Sequence, residues 1–299
     1  MKRLFGVEVA RFLSRRSVRF FGTFLLLVVT TAGVLTFVFS NRDLAAATER
    51  ARIAATSDYQ ACLRGEFGHE ELPAGFDPAK ACAAPDLTQI TADPRFHLTS
   101  LRDVLGGASA ALVMLGLGLG ASSFGAEWHH RTIATLLTWE SRRVRVAVAK
   151  LAAAAVVVFI GVLTIEALLS FALIPAAAFR GTTSGTTAPW LAGVIGVGLR
   201  GAALGAMGAV LGGAIATMVR NTALALGISF AWLAVVENMI RGLRPEWEPW
   251  LIGNNAASFV APGEEGAVRS MLGGGVLLAI YAVLIAALAT QIFKRRDVA

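Results

Sequence analysis

Two ionisable residues, Glu166 and Arg200, lie well inside long apolar runs of the chain. Glu166 comes nine residues before the end of one run, and Arg200 comes eleven residues after the start of the next. At a helical rise of about 1.5 Å per residue, both lie roughly 14–17 Å from those ends. An ionisable group is costly to bury among apolar residues, so both are candidates for function. We expect them to pair or to line one polar cavity, either as a lock between helices or as a contact for a substrate.

The two cysteines, Cys62 and Cys82, lie in the longest polar stretch, residues 41–103. In an oxidising compartment they could form a disulfide. Closing so short a loop would add about 3 kcal/mol of stability. Two free thiols are the alternative. A metal site that also uses His69 is a third possibility, although the spacing matches no familiar zinc pattern.

No motif nominates a catalytic residue, a metal site or a bound cofactor. Residues 196–201 match G-x-G-x-x-G, but they lie within an apolar run rather than between a strand and a helix. The chain also lacks a G-x-x-x-x-G-K-[ST] phosphate-binding loop. Small residues recur every four positions at Gly201, Gly205, Ala209 and Gly213. This spacing allows close approach of another helix, within a bundle or at a subunit interface.

The composition of the chain predicts the secondary structure in which these residues lie. Hydrophobic residues make up 56% of the 299 residues and charged residues only 16%, whereas soluble domains contain about 25% charged residues. The excess forms runs of roughly 20 residues without a period of two, the length of helices that cross a membrane. We therefore predict an all-α membrane protein, a single domain over residues 1–299. Its six transmembrane helices are predicted at Val18–Ser40, Val104–Phe124, Val146–Pro175, Pro189–Val219, Thr222–Ile240 and Met271–Phe293.

Charge predicts the orientation of these spans. Lys and Arg are concentrated before the first span, between the second and third, and after the sixth. Because such residues mark the cytoplasmic face, we expect a multi-pass protein of the cytoplasmic (inner) membrane with both termini inside. Residues 41–103 then form an external insert, and Glu237 lies near an external end, where we expect it to be solvated. The net charge of +7 is explained by topology, so no nucleic-acid partner is expected.

Residues 1–17 place apolar and basic side chains on different helical faces. This pattern predicts an interfacial helix that contacts membrane lipids. A looser basic tail is the alternative.

Residues 125–145 form a basic, amphipathic connection between the second and third spans, which ends just before Lys150. Its order of Glu127, Thr132, Leu136-Leu137 and Arg142 resembles that of ABC-2-type ABC transporter permeases. In that family a cytoplasmic connection reads roughly Glu, Gly-Thr, Leu-Leu, Pro and Arg, Lys. The chain departs from the pattern at Arg131, which replaces the Gly, and it has no Pro before Arg142. The resemblance covers about 25 residues in motif and nearly the whole chain in topology.

This resemblance implies the permease subunit of an ATP-driven transporter, most simply an exporter, and not an enzyme in itself. ATP and Mg²⁺ would bind to a separate ATP-binding subunit, and a second permease chain, identical or related, would complete the pathway. A coupling helix would dock into the ATP-binding subunit, with the apolar stripe Ile133, Leu136 and Leu137 as its anchor and charges at the rim. The predicted partner-binding residues are Glu127, Arg131, Thr132, Ile133, Leu136, Leu137, Arg142 and Arg143.

Two alternatives remain. The amphipathic connection could rest on lipid, with its arginines contacting anionic headgroups. The whole chain could also be a membrane-anchored sensor or assembly factor that acts through residues 41–103, in which case the connection at residues 125–145 would be passive.

Overall fold

The computed structural model of the chain describes residues 2–40, 43–64, 82–90, 93–129, 132–261 and 269–295. These residues form eleven α-helices, joined by short 3₁₀ and π segments. The helices are α1 Lys2–Leu13, α2 Arg16–Phe39, α3 Leu44–Leu63, α4 Leu101–His129, α5 Thr132–Trp139, α6 Arg143–Pro175, α7 Ala188–Val219, α8 Thr222–Ala231, α9 Glu237–Leu243, α10 Ile252–Val260 and α11 Met271–Arg295.

Within the part of the chain that the structure describes, six helical stretches are long and apolar enough to cross a membrane: Arg16–Phe39, Leu98–Trp128, Arg143–Arg180, Ala188–Val219, Thr222–Leu243 and Met271–Arg295. Each of the six predicted runs overlaps one of them, which confirms the prediction of an all-α protein with six helices of membrane-spanning length. The fifth stretch consists of α8 and α9 with a π segment, Trp232–Val236, between them.

The boundary between α7 and α8 has a local cause. Arg220 adopts the left-handed conformation that commonly ends a helix, with φ of 57°. Asn221 then caps α8, since its side-chain oxygen accepts a hydrogen bond from the Leu224 amide at 3.0 Å. Two spans can therefore follow each other with almost no loop.

The chain forms two compact units. The larger comprises Met1–Ala32, Thr99–Ala172 and Gly185–Ala299, and the smaller comprises Gly33–Leu98 and Leu173–Ser184. The larger unit contains α1, α4, α5 and α7–α11, with most of α2 and α6.

Helix α7 is the centre of the larger unit. Its small residues allow close approach: a methyl group added at Gly205 would meet Val162 of α6 at 3.0 Å, and one added at Gly208 would meet the Val113 carbonyl of α4 at 2.9 Å. A methyl group at Gly213 would meet the Phe124 ring at 2.9 Å. The stripe of small residues thus packs within the bundle, against α4 and α6.

Helix α10 has a charged partner at each end. Both carboxylate oxygens of Glu237 accept backbone hydrogen bonds at its start, from Ile252 at 2.7 Å and Gly253 at 2.9 Å. At its end, the Arg200 guanidinium lies 3.3 Å from the Val260 carbonyl. An anion at a helix start and a cation at its end both stabilise the helix. The expectation that Glu237 is solvated is wrong, because its side chain is fully buried.

The smaller unit contains α3 and the C-terminal ends of α2 and α6. Cys62 and Cys82 form a disulfide, with their Cα atoms 5.9 Å apart, which joins the end of α3 to residues 82–90. The Ser40 hydroxyl donates to the Arg180 carbonyl at 2.9 Å and accepts from the Phe96 amide at 3.0 Å. His69, of the alternative metal site, lies outside the described residues.

Candidate functional site

A cluster of buried ionic groups occupies the larger unit, where α1, α4 and α6 meet. We call Glu8, Arg15, Glu127 and Lys150 the ionic cluster. Glu8, Glu127 and Lys150 are 4–6% exposed. The two carboxylates balance the two cations, so no buried charge in the cluster is left uncompensated. A protein interior tolerates buried charges only when they are paired in this way.

Lys150 is the centre of the ionic cluster. Its ammonium Nζ donates to Glu8 Oε2 at 2.9 Å and to Glu127 Oε1 at 2.6 Å. The same ammonium lies 5.5 Å from the centre of the Phe124 ring, a cation–π distance. Arg11, on the outer side of α1, donates to the other oxygen of Glu8 at 3.0 Å. One lysine therefore links α1 and α4 to its own helix, α6.

Arg15 fixes the turn between α1 and α2 to the end of α4. Its Nη2 donates to Glu127 Oε1 at 2.9 Å and to the Ser123 carbonyl at 2.8 Å, and its Nη1 donates to the Ser122 carbonyl at 3.2 Å. Burial lowers the pKa of Arg15, and the nearby carboxylates of Glu127 and Glu8 oppose that shift. A guanidinium remains charged throughout the physiological range.

The sequence of α1 explains how Glu8 reaches this site. Phe12 follows Glu8 by one helical turn, so the two side chains share a face. Phe12 is 4% exposed and packs with Leu112 of α4 and Val158 of α6. Apolar packing of Phe12 therefore holds α1 against both spans and directs Glu8 towards Lys150.

Helix α5, the predicted coupling helix, directs its apolar side inward. Ile133 is 3% exposed and packs with Ala147 of α6 and Phe293 of α11. Trp128 and Leu137 pack against the same cluster. Ile133 is thus part of the interior, rather than a free anchor for a partner as the sequence had suggested.

The outer side of α5 carries a different residue. Trp139, at its last position, is 87% exposed, and Thr132, Thr135 and Thr138 are also exposed. Tryptophan is enriched among residues that anchor protein interfaces and at membrane–water interfaces. Sequence reasoning overlooked Trp139, because the apolar stripe drew attention to the opposite side of the helix.

The remaining predicted partner-binding residues are scattered. Arg142 is exposed, while Leu136 and Arg143 are half-buried. Arg131 lies outside the described residues. Glu127 belongs to the ionic cluster and not to the outer surface.

Glu166 and Arg200 have separate partners. Glu166 is 2% exposed, and its Oε1 lies 2.8 Å from Ser109 Oγ of α4. The hydrogen-bond partner of Arg200 is the carbonyl of Val260. Among the described residues there is no ion pair between Glu166 and Arg200, because the two side chains leave their helices in different directions.

An apolar cavity of about 450 Å³ lies among α4, α7 and the last spans. Met114, Met207, Trp232, Trp250 and Tyr281 are among the side chains around it. Such a lining suits an apolar group and offers few polar contacts. Over the residues that the structure describes, no group of three or more His, Cys, Asp or Glu could hold a metal ion.

Two members of the ionic cluster were overlooked in the sequence. Glu8 is the single acidic residue before Asp43, in a stretch rich in arginine. That isolation is a usable signal, since a lone acid on the apolar side of a basic helix needs a partner. Nothing local marks Arg15 among its basic neighbours.

Comparison with protein-family models, curated proteins and solved structures finds no match.

Proposed function

We propose that this chain is the permease subunit of an ATP-driven transporter of the ABC-2 type, an exporter whose ATP-binding subunit is a separate chain. The observation that carries the proposal is the ionic cluster beside the connection between α4 and α6. It joins that connection to α1 by buried charge-assisted bonds. A force applied at the connection would thus act on three helices together.

Helix α5 is suited to receive such a force. It is short, it lies between two spans, and Ile133 anchors it to α6 and α11. Its exposed end carries Trp139, with the exposed Arg142 close behind in the chain. An aromatic anchor with a charged rim is typical of residues that dominate binding at a protein interface.

The ionic cluster then carries the motion onward. Buried pairs resist separation, because pulling one partner away leaves the other charge uncompensated. Movement of α5 would therefore displace α1 and the adjoining ends of α4 and α6 as one body. ATP binding favours one arrangement of the ATP-binding subunits, and only such a differential affinity can bias the permease between its states.

The rest of the proposal follows from the resemblance and from the charge pattern. ATP and Mg²⁺ bind on the partner, because this sequence has no phosphate-binding loop. A second permease chain, identical or related, completes the pathway across the inner membrane, and both termini face the cytoplasm. The apolar cavity among α4, α7 and the last spans favours substrates with an apolar part.

One observation favours the alternative of a sensor or assembly factor. In the smaller unit, α3 and residues 87–88 line an open cleft of about 650 Å³, with Glu49, Arg52 and Gln60 at its walls. In that case the smaller unit would carry the activity, and changes in α5 would have little effect.

The test is affinity purification of the tagged chain from gently solubilised membranes, comparing Trp139→Ala with Trp247→Ala. Trp247 is a matched control, since it is 57% exposed and follows the end of the fifth predicted span, near Glu237, that is expected to be external. We expect wild type and Trp247→Ala to retain a soluble subunit with a phosphate-binding loop, and Trp139→Ala to lose it. Recovery of the intact wild-type chain without an ATPase, in membranes where other complexes survive, would contradict the proposal.

A further inference from the structure

Among the described residues of the larger unit, four glutamates are buried, and three of them have partners suited to a negative charge. Glu8 and Glu127 accept from Lys150 and from arginines. Glu237 accepts from two backbone amides at the start of α10. Glu166 differs from all three, and the difference indicates its protonation state.

The carboxyl group of Glu166 is placed where a charge would be isolated. One oxygen contacts Ser109 Oγ, and the other, Oε2, is buried without a hydrogen-bond partner among the described residues. An ionised carboxylate in an apolar interior needs a cation or several donors. Glu166 has at most one donor and no cation.

The number of protons available at Ser109 supports the neutral, protonated form of Glu166. Ser109 Oγ lies 2.8 Å from Glu166 Oε1 and also 2.8 Å from the Leu105 carbonyl, which can only accept. A hydroxyl group has one proton to donate. If each contact is a hydrogen bond with its own proton, Ser109 donates to Leu105 and Glu166 donates to Ser109. Glu166 can donate only as a carboxylic acid.

The other charged groups of the packed helices are directed elsewhere. Arg200, the one charged residue of α7, donates to Val260. Arg102 of α4 lies beside Gly193, about two turns along α7 from Gly201. The remaining charged or titratable residues of α4 and α6 lie towards the helix ends: Asp103, Glu127, His129, Arg143, Arg145 and Lys150.

Two glycines of α7 cover this acid. A methyl group at Gly198 would lie 3.4 Å from Glu166 Oε2, and one at Gly201 would overlap both Glu166 Oε1 and Ser109 Oγ. The neutral acid is thus enclosed as long as α7 remains packed against α4 and α6.

We propose that Glu166 is a proton-binding site inside the bundle, which holds its proton while α7 is packed and releases it when α7 moves away. On release the O–H bond breaks, water that enters between the helices takes the proton, and hydration stabilises the carboxylate. Return of α7 requires that the proton be taken up again. The site gives the chain a proton-linked step independent of any ATP-binding partner, so this inference and the proposed function can fail separately.

Infrared difference spectroscopy of the full-length chain in lipid nanodiscs at neutral pH tests the proposal. Subtracting Glu166→Gln from wild type should show the carbonyl stretch of one protonated carboxylic acid. The matched variant Glu237→Gln should instead show loss of a carboxylate band, because Glu237 accepts two amide hydrogen bonds. A carboxylate band at Glu166, or no difference in the acid region, overturns the proposal.

Ser109→Ala provides a second test should Glu166→Gln fail to accumulate. It keeps the acid and removes its acceptor, so the acid band should move to the frequency of an unbonded acid. An unchanged band would show that Glu166 does not donate to Ser109, which also overturns the proposal.

The pH dependence of stability gives a third readout. The folded chain holds a proton that the unfolded chain releases at neutral pH, so unfolding is favoured as the pH rises. One such proton lowers the folding equilibrium constant by up to about tenfold per pH unit until the folded form ionises. Glu166→Gln should remove this dependence, and an identical dependence in wild type and variant contradicts the proposal.

Discussion

Lys150→Met is the sharpest test of the ionic cluster. The change preserves an unbranched chain of similar length and removes the charge. The Lys150 ammonium, in a side chain 4% exposed, donates to two carboxylates. Two bonds to charged groups, at about 1.5–3 kcal/mol each, give about 3–6 kcal/mol. Removal of one partner from a buried ion pair costs about 3–5 kcal/mol.

We therefore expect Lys150→Met to lower the free energy of unfolding by about 3–5 kcal/mol. The assay is thermal or denaturant unfolding of the chain in lipid nanodiscs, followed by tryptophan fluorescence. Arg145→Met is the matched control, because Arg145 is an exposed basic residue near the same end of α6. Exposed substitutions of this kind stay within about 0.5 kcal/mol.

A double-mutant cycle separates the Lys150–Glu8 contact from general damage. Glu8→Gln combined with Lys150→Met should cost less than the sum of the single changes, by about 0.5–3 kcal/mol, because each single change leaves a charge with fewer partners. Equal stability of Lys150→Met and Arg145→Met would refute the reasoning. Strict additivity of the two single changes would refute the contact itself.

Three further changes test other parts of the structure by unfolding, followed by tryptophan fluorescence in the larger unit and by circular dichroism for Cys62, whose unit contains no tryptophan. Gly201→Ala should cost about 1–3 kcal/mol by overpacking, while Gly118→Ala, which meets no atom within 4 Å, should be neutral or stabilising; equal effects would contradict the packing of α7. Cys62→Ser should lower the free energy of unfolding of the smaller unit by about 3 kcal/mol, and a variant as stable as wild type would show that the disulfide does not stabilise the unit. Glu237→Ala should lower the free energy of unfolding by about 1–3 kcal/mol because two part-buried backbone amides lose their acceptor, whereas Ala at the exposed Glu246 should have no effect.

Composition and the length of the apolar runs were enough to predict the six spans. A helix satisfies its backbone hydrogen bonds within its own segment, so a span needs only a continuous apolar stretch of sufficient length. The structure also has a short helix, α5, between the second and third spans, and the coupling role that the order of residues from Glu127 to Arg142 suggests stays a prediction. These features are local in sequence.

The contacts of the charged residues could not be predicted in the same way. Depth along a helix follows from counting residues, but direction around the helix depends on which neighbours pack there. Glu166 and Arg200 agree in depth, yet one faces Ser109 and the other faces α10. Lys150 and Glu8 are 142 residues apart in the chain, so no spacing rule links them.

Site-specific photocrosslinking at position 139 tests the central claim most directly. A photoreactive aromatic residue would replace Trp139 in the full chain, and a second strain would carry it at Trp247 as a control. The proposal predicts a crosslink from position 139 alone to a soluble protein with a phosphate-binding loop. Crosslinks from position 139 to lipid only, in cells where the chain is intact in the membrane, would contradict it.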